Sequence, residues 1–265
     1  MAEDVGSGDL TCVAVVPADA RARGSVQARQ AGTLAGVGVA ARVFETVDPG
    51  TAVTVVRDDG ASVEPGDAVL ELQGPAAGIL SAERVALNFL GRLSGVATAT
   101  RELVDAVEGT RARILDTRKT TPGLRALEKA AVLSGGGASH RAGLYDAILI
   151  KENHVRVAGG VAEASRRGLA GAPDGVWVEV EVESLDELNE ALEAGVARIL
   201  LDNMSPPEMR EAVARTGGRA SLEASGTIGP DSIRAVAETG VDYISVGALT
   251  HSAPALDLSL LFDPT

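Results

Sequence analysis

The chain has 265 residues, room for one large domain or two modest ones, and with only 2% aromatic residues its core must be Val, Leu, Ile and Ala. A formal charge of −13 argues against nucleic acid and anionic membrane surfaces as partners, since both call for a basic face. Cys12 is the sole cysteine, no stretch holds the ~20 unbroken apolar residues of a bilayer span, and no secretion signal opens the chain, so the cytoplasm is the expected setting.

Up to about residue 110 the pattern is short and mixed. "CVAVVP" (12–17), "GSVQARQAGTLAGVGV" (24–39), "TAVTVV" (51–56) and "AVLELQG" (68–74) read as strands, broken by the turn dipeptides Asp48-Pro49, Asp59-Gly60 and Pro65-Gly66. "DDGASVEPGDAVLELQGP" (58–75) reads as a hairpin like those of biotinyl or lipoyl carriers, but no acceptor lysine precedes Lys119, so its use is structural. A helix is expected over 81–107, with Gly91 and Gly95 as breaks.

Beyond residue 110 the rhythm becomes apolar strand, polar strand end, amphipathic helix. Strands are expected at 112–116, 146–151, 176–182, 197–202, 219–225 and 241–247, and helices at 123–134, 161–169, 184–195, 205–216 and 229–240. This alternation predicts an α/β fold: an N-terminal α+β domain (1–108), an incomplete TIM-like barrel (109–250) and a C-terminal tail (251–265) returning to the first domain. An open doubly wound sheet is the alternative. In a barrel the chemistry gathers at the carboxyl ends of the strands, which here hold Asp116 to Lys119, Lys151, Glu179 and Glu181, Asp202, Ser225 to Thr227, and Gly247.

Charge is distributed unevenly. Residues 111–156 hold nine Lys/Arg against four Asp/Glu, together with His140 and His154, and all three lysines of the chain (Lys119, Lys129, Lys151) lie here. A cationic island in an acidic protein points to an anionic small-molecule site. Arg118 offers a planar fork beside the compact charge of Lys119, a pair suited to carboxylate and phosphate; an ordinary basic turn is the alternative. His140 beside Arg141 is a candidate anion donor, and the glycines at 135–137 are expected to form a loop. Glu179 and Glu181 share one face of their strand. Ser205 is the better helix cap, which leaves Asp202 available, so two carboxylates on neighbouring strands suit Mg²⁺ or the hydroxyls of a ribose. "EASGTIG" (223–229) and "SVGALTHS" (245–252) are candidate phosphate cradles on the last two strands.

These motifs, with "EDVGSGDLT" (3–11), "ERVALNFLGRLSGVATAT" (83–100), "DTRKTTPGLR" (116–125), "GGGASHRAGLYDAILIKENH" (135–154), "EVEVES" (179–184) and "LLDN" (200–203), make the chain resemble the quinolinate phosphoribosyltransferases. The resemblance implies an N-terminal α/β sandwich plus an incomplete α/β barrel, transfer of phosphoribose from phosphoribosyl pyrophosphate to quinolinate with decarboxylation, Mg²⁺ as cofactor, and a homodimer or higher oligomer. By the same resemblance Arg118, His140 and Arg141 hold the quinolinate carboxylates with Arg84 of a second subunit. Lys119 and Lys151 lie near the pyrophosphate and the reacting carboxylate, Glu181 and Asp202 face the ribose and Mg²⁺, and Ser225, Gly226, Thr227 and Gly247 cradle the 5′-phosphate; Thr120 and His251 complete the substrate set. The chain departs from the family pattern before "EDVGSGDLT", where a helix is usual, and at Ala130, where a tyrosine is frequent. Rival readings are a nicotinate phosphoribosyltransferase or molybdenum-associated homologue of the same fold, and a non-catalytic phosphosugar-binding protein.

Overall fold

The computed structural model describes residues 2–263. Two compact units share the chain. One holds the residues up to Arg101, Leu127–Gly136 and the segment from Ser252; the other holds Glu102–Ala126 and Gly137–His251. The division thus falls at 101 and 251 rather than at 108 and 250, and ten further residues from the middle of the chain belong to the first unit.

The first unit runs α1 (Leu10–Val15), β1 (Arg21–Ala28), β2 (Gly32–Thr33), α2 (Val37–Val47), β3 (Ala52–Val55), β4 (Ser62–Val63), β5 (Ala68–Pro75) and α3 (Ala76–Ala106), the last five residues of α3 lying in the second unit. Its antiparallel sheet takes its fourth strand from β12 (Leu258–Phe262), in the order β12-β1-β5-β3. Alternate residues of β1 are buried, as are those of β5 from Leu70 onward with Val69 buried beside them, and Val26, Ala28, Val69, Leu70 and Leu72 pack with Phe44, Ile79 and Leu90.

Four expectations are corrected in this unit. "CVAVVP" lies largely in a helix, because the Asp9 carboxylate accepts the Cys12 N–H at 2.9 Å and caps α1. The end of "GSVQARQAGTLAGVGV" enters α2, whose buried Val37, Ala40 and Phe44 follow a helical period that outweighs the β preference of its valines. The 58–75 stretch is not one hairpin, since β4 pairs with β2 while β5 pairs with β1 and β3. Gly91 and Gly95 do not break α3. They admit the returning chain: a Cβ on Gly95 would stand 1.9 Å from the Pro254 carbonyl oxygen, and the Gly91 carbonyl accepts the Leu256 N–H at 2.9 Å.

The second unit contains β6 (Arg113–Leu115), the first two residues of α4 (Arg125–Ser134), β7 (Ile148–Ile150), α5 (Glu152–Ala158), α6 (Val161–Gly171), β8 (Val178–Val182), α7 (Leu185–Glu193), β9 (Arg198–Asp202), α8 (Pro206–Thr216), β10 (Ser221–Ser225), α9 (Pro230–Ala237), β11 (Tyr243–Ser245) and α10 (Ala248–His251). The sequence reading passes over α5. All six strands are parallel, in the order β6-β11-β10-β9-β8-β7. A flat sheet in this order would force the connection from β6 to β7 across its whole width, whereas a curved one brings first and second strands near each other. This is a barrel open between β6 and β7. Beside β6 the opening is partly filled by Ala138, which bridges Leu115. Among the described residues no helix is long and apolar enough to cross a membrane.

Candidate active site

The carboxyl ends of the barrel strands surround a cavity of 640 Å³. Arg118 and Lys119 reach it from the loop after β6, Arg141 from the loop before β7, and Lys151 from the end of β7. Among the described residues Arg118, Lys119 and Arg141 form no ion pair. Burial, then the charge of nearby Arg118, lowers the pKa of the Arg141 guanidinium, outweighing the opposite pull of the Asp146 and Glu179 carboxylates. Lys151 does have a partner, the Glu181 carboxylate.

Local hydrogen bonds place these cations. The Asp116 carboxylate, buried at the end of β6, accepts the His140 backbone N–H at 2.9 Å and the Ser139 hydroxyl at 3.1 Å, which pins the 139–141 segment beside the first strand. Asp146 accepts the backbone N–H groups of Ala142 and Gly143 and shapes the turn that follows.

Opposite the cations stand Glu181 and Asp202, with Asn203 donating to Asp202 Oδ2 at 2.7 Å. Ser205 caps α8, its N–H and hydroxyl both donating to Glu208, so Asp202 is spared that task. Ser225, Gly226, Thr227 and Gly247 line the remaining wall. One of these positions needs glycine: Gly226 has φ +135° and a Cβ there would lie 2.4 Å from Asn203 Oδ1. A Cβ on Gly247 would lie 2.8 Å from Cδ of the exposed Lys119 side chain, so the bare Gly247 leaves that lysine its present position.

Of the expected residues, the structure therefore gathers Arg118, Lys119, His140, Arg141, Lys151, Glu181, Asp202, Ser225, Gly226, Thr227 and Gly247 around one cavity. Thr120 is not among the lining residues; its hydroxyl accepts from Arg125 Nε at 3.0 Å. His251 is exposed on α10, with Nε2 3.5 Å from where a Gly247 Cβ would stand. Arg84 belongs to the first unit, exposed on α3 in a groove with Leu87 and Asp257. Gly135, expected in a loop, lets the end of α4 approach α3, since a Cβ would meet the Ala97 carbonyl oxygen at 2.4 Å.

The sequence reading missed Asn203, Glu223 and Arg198. Asn203 is the one non-glycine residue with positive φ (52°) among the described residues, and asparagine after a strand is the signal that could have found it. Below the mouth, Glu223 lines the cavity with its side chain buried. Burial, then the nearby Glu179, pushes its pKa up to about 7. Burial alone would also raise Glu179, but the His140 hydrogen bond and the Arg198 charge outweigh it and hold Glu179 below the usual carboxylate range.

Fold and cavity define an α/β-barrel protein built to receive polyanionic small molecules. Comparison narrows the class. Residues 9–94 match the N-terminal domain model, and residues 96–261 the C-terminal domain model, of quinolinate phosphoribosyl transferase. The chain is 43% identical over 258 residues to a probable carboxylating nicotinate-nucleotide pyrophosphorylase of Bacillus subtilis, covering 97% of this chain and 89% of that protein. It is 46% identical over 264 residues to the Mycobacterium leprae nicotinate-nucleotide pyrophosphorylase, covering 97% and 93%. The structure of the Francisella tularensis nicotinate-nucleotide pyrophosphorylase superposes with a TM-score of 0.95 at 42% identity, covering 99% of this chain and 92% of that one. The chain belongs to the quinolinate phosphoribosyltransferase family.

Proposed function

We propose that the protein is a pentosyltransferase that moves a phosphoribosyl group from phosphoribosyl pyrophosphate to quinolinate with decarboxylation, giving nicotinate mononucleotide, pyrophosphate and CO₂ for NAD synthesis. The observation that carries this reading is the convergence of Arg118, Lys119 and Arg141, without ion-pair partners among the described residues, on a cavity whose other wall carries Glu181 and Asp202. Quinolinate is a dicarboxylate and phosphoribosyl pyrophosphate a polyphosphate, so an acidic protein needs such a cluster to bind either. A unit-charge pair at 4 Å is worth roughly 4 kcal/mol at an effective dielectric of ~20.

In the reaction the pyridine nitrogen attacks C1 of the ribose, the bond from C1 to pyrophosphate breaks and pyrophosphate departs, and the nucleotide loses its C2 carboxylate as CO₂, the electron pair left on C2 taking up a proton. Arg118 and Arg141 orient the aromatic dicarboxylate. Lys119 and Lys151 meet the negative charge of the leaving group and of the reacting carboxylate, and Glu181 and Asp202 face the sugar where positive charge develops. Gly226 and Gly247, bare of side chains, leave room for the 5′-phosphate beside Ser225 and Thr227. The oxygen-only donors Glu181 and Asp202 fit a hard divalent cation, and Mg²⁺ there would neutralise pyrophosphate as it leaves. The family resemblance further supports a dimer, or a larger assembly, in which Arg84 serves a neighbouring subunit; the lone thiol of Cys12 suits the cytoplasm.

Incubation with quinolinate, phosphoribosyl pyrophosphate and Mg²⁺ should yield a product with the mass of nicotinate mononucleotide. Turnover of nicotinate at a comparable rate would favour the monocarboxylate enzyme of the same fold, and absence of any turnover would leave the phosphosugar-binding reading.

A further inference from the structure

A layer of charged and aromatic groups lies beneath the mouth. Glu179 sits two residues before Glu181 on β8, hence about 6–7 Å deeper in the barrel. Arg198, at the start of β9, donates from Nε to Glu179 Oε1 at 2.9 Å and from Nη2 to Glu223 Oε2 at 2.6 Å. Its guanidinium lies 4.6 Å from the ring centroids of both Trp177 and Tyr243, held between two aromatic faces. The second oxygen of Glu179 meets His140 Nε2 at 2.9 Å, and Glu223 Oε2 lies 3.5 Å from the same nitrogen. On its other side the His140 ring takes the Arg141 backbone N–H on Nδ1 at 2.7 Å. A nitrogen that accepts an N–H carries no proton, so the ring proton is on Nε2 and is donated to Glu179. Both ring nitrogens are thus engaged within the protein. His140 joins the floor of the barrel to the backbone of Arg141, whose guanidinium in turn donates to the Ala147 carbonyl at 3.3 Å.

We propose that Arg198 is a positioning residue for the dicarboxylate end of the site: through Glu179 and His140 it fixes the backbone and the direction of Arg141, and so the geometry of the cation cluster. Its fork is the part that matters, because one planar guanidinium spans carboxylates on two neighbouring strands while stacked between rings. A lysine would keep the charge and lose the span. The proposal rests on the functional reading above only for the identity of the ligand that Arg141 holds.

The test compares wild type with Arg198→Met, Arg198→Lys and Glu179→Gln. Each folded variant is titrated with quinolinate and, separately, with phosphoribosyl pyrophosphate, and its crystal structure is solved. Loss of charge-assisted positioning should weaken quinolinate at least about tenfold in Arg198→Met, Arg198→Lys and Glu179→Gln, with phosphoribosyl pyrophosphate within about threefold. In the crystals the His140 ring and the Arg141 guanidinium should leave their wild-type positions. Wild-type quinolinate affinity in Arg198→Lys, equal weakening of both ligands, or an unmoved Arg141 would each overturn the proposal. Should Arg198→Met not fold, Arg198→Lys and Glu179→Gln carry the same two readouts. If wild type binds neither ligand, the functional reading fails while the crystal positions of His140 and Arg141 still decide the positioning claim.

Discussion

Three cations meet at the mouth with no ion-pair partner among the described residues, and each contributes differently. Arg118 and Lys119 are exposed at the cavity edge, while Arg141 is buried and bonded to the backbone at Ala147. On the proposed reading, replacing Arg118 or Arg141 by alanine takes away a charge-assisted bond to the dicarboxylate and should raise KM for quinolinate by about tenfold to a hundredfold; steady-state kinetics checks this. Lys119→Ala should act chiefly on kcat. At Gly226 an alanine would have to keep φ at +135° with its Cβ against Asn203, strain of about 1–3 kcal/mol, so Gly226→Ala should lose affinity for phosphoribosyl pyrophosphate more than for quinolinate. Glu223 makes a pH prediction. It faces Glu179 from β8, Arg198 from β9 and His140, and its folded pKa of about 7 lies above the ordinary 4.5. The folded state holds this proton more tightly than the unfolded chain, so the associated stability is complete below pH 4.5 and is lost as pH rises through 7. The thermal midpoint of wild type relative to Glu223→Gln should therefore fall across that window. A difference that is flat with pH would contradict it.

At the scale of elements, legibility followed locality. The helices after residue 110 announce themselves through caps, as Ser184 does for α7 and Ser205 for α8. Removing the α8 cap by Ser205→Ala should lower stability by about 1 kcal/mol in chemical denaturation. In the first unit the pairings are long-range: β1 takes β12 as its neighbour, with Gly24 opposite Phe262. No local pattern announces such a partner, and short stretches such as 12–17 and 37–39 have the composition of strands while their caps and helical period decide otherwise. Gly91 and Gly95 show the same limit. Read alone they break a helix, but α3 runs through both because the returning chain occupies the space that side chains would fill. A valine at 95 would drive its Cβ into the Pro254 carbonyl; the expected result is loss of cooperative thermal unfolding rather than a small shift.

For the whole molecule, strand-end residues were readable because a parallel barrel converts position along each strand into position around one mouth. Arg118, Lys119, Lys151, Glu181 and Asp202 come from four separate strands or their loops and still line a single cavity. What sequence could not supply was depth and register. Arg198 looks like the polar entry to an apolar strand, and only its alignment with Glu179 on β8 and the nearby Glu223 on β10 makes it the centre of a buried network. The same convergence explains how a chain of charge −13 accommodates polyanions: its positive residues act at short range inside a cavity, where added salt screens them less than it screens the acidic exterior.

Trp177 is the sole tryptophan of the chain, and its indole rests on the Arg198 guanidinium with the His140 ring 5.3 Å away at 70°. Nature has thereby wired one optical reporter to the barrel floor. On the proposed reading, its emission spectrum should respond when quinolinate binds at Arg141, giving a label-free titration in which a silent signal at saturating ligand would mean that the indole and Arg141 are not mechanically connected.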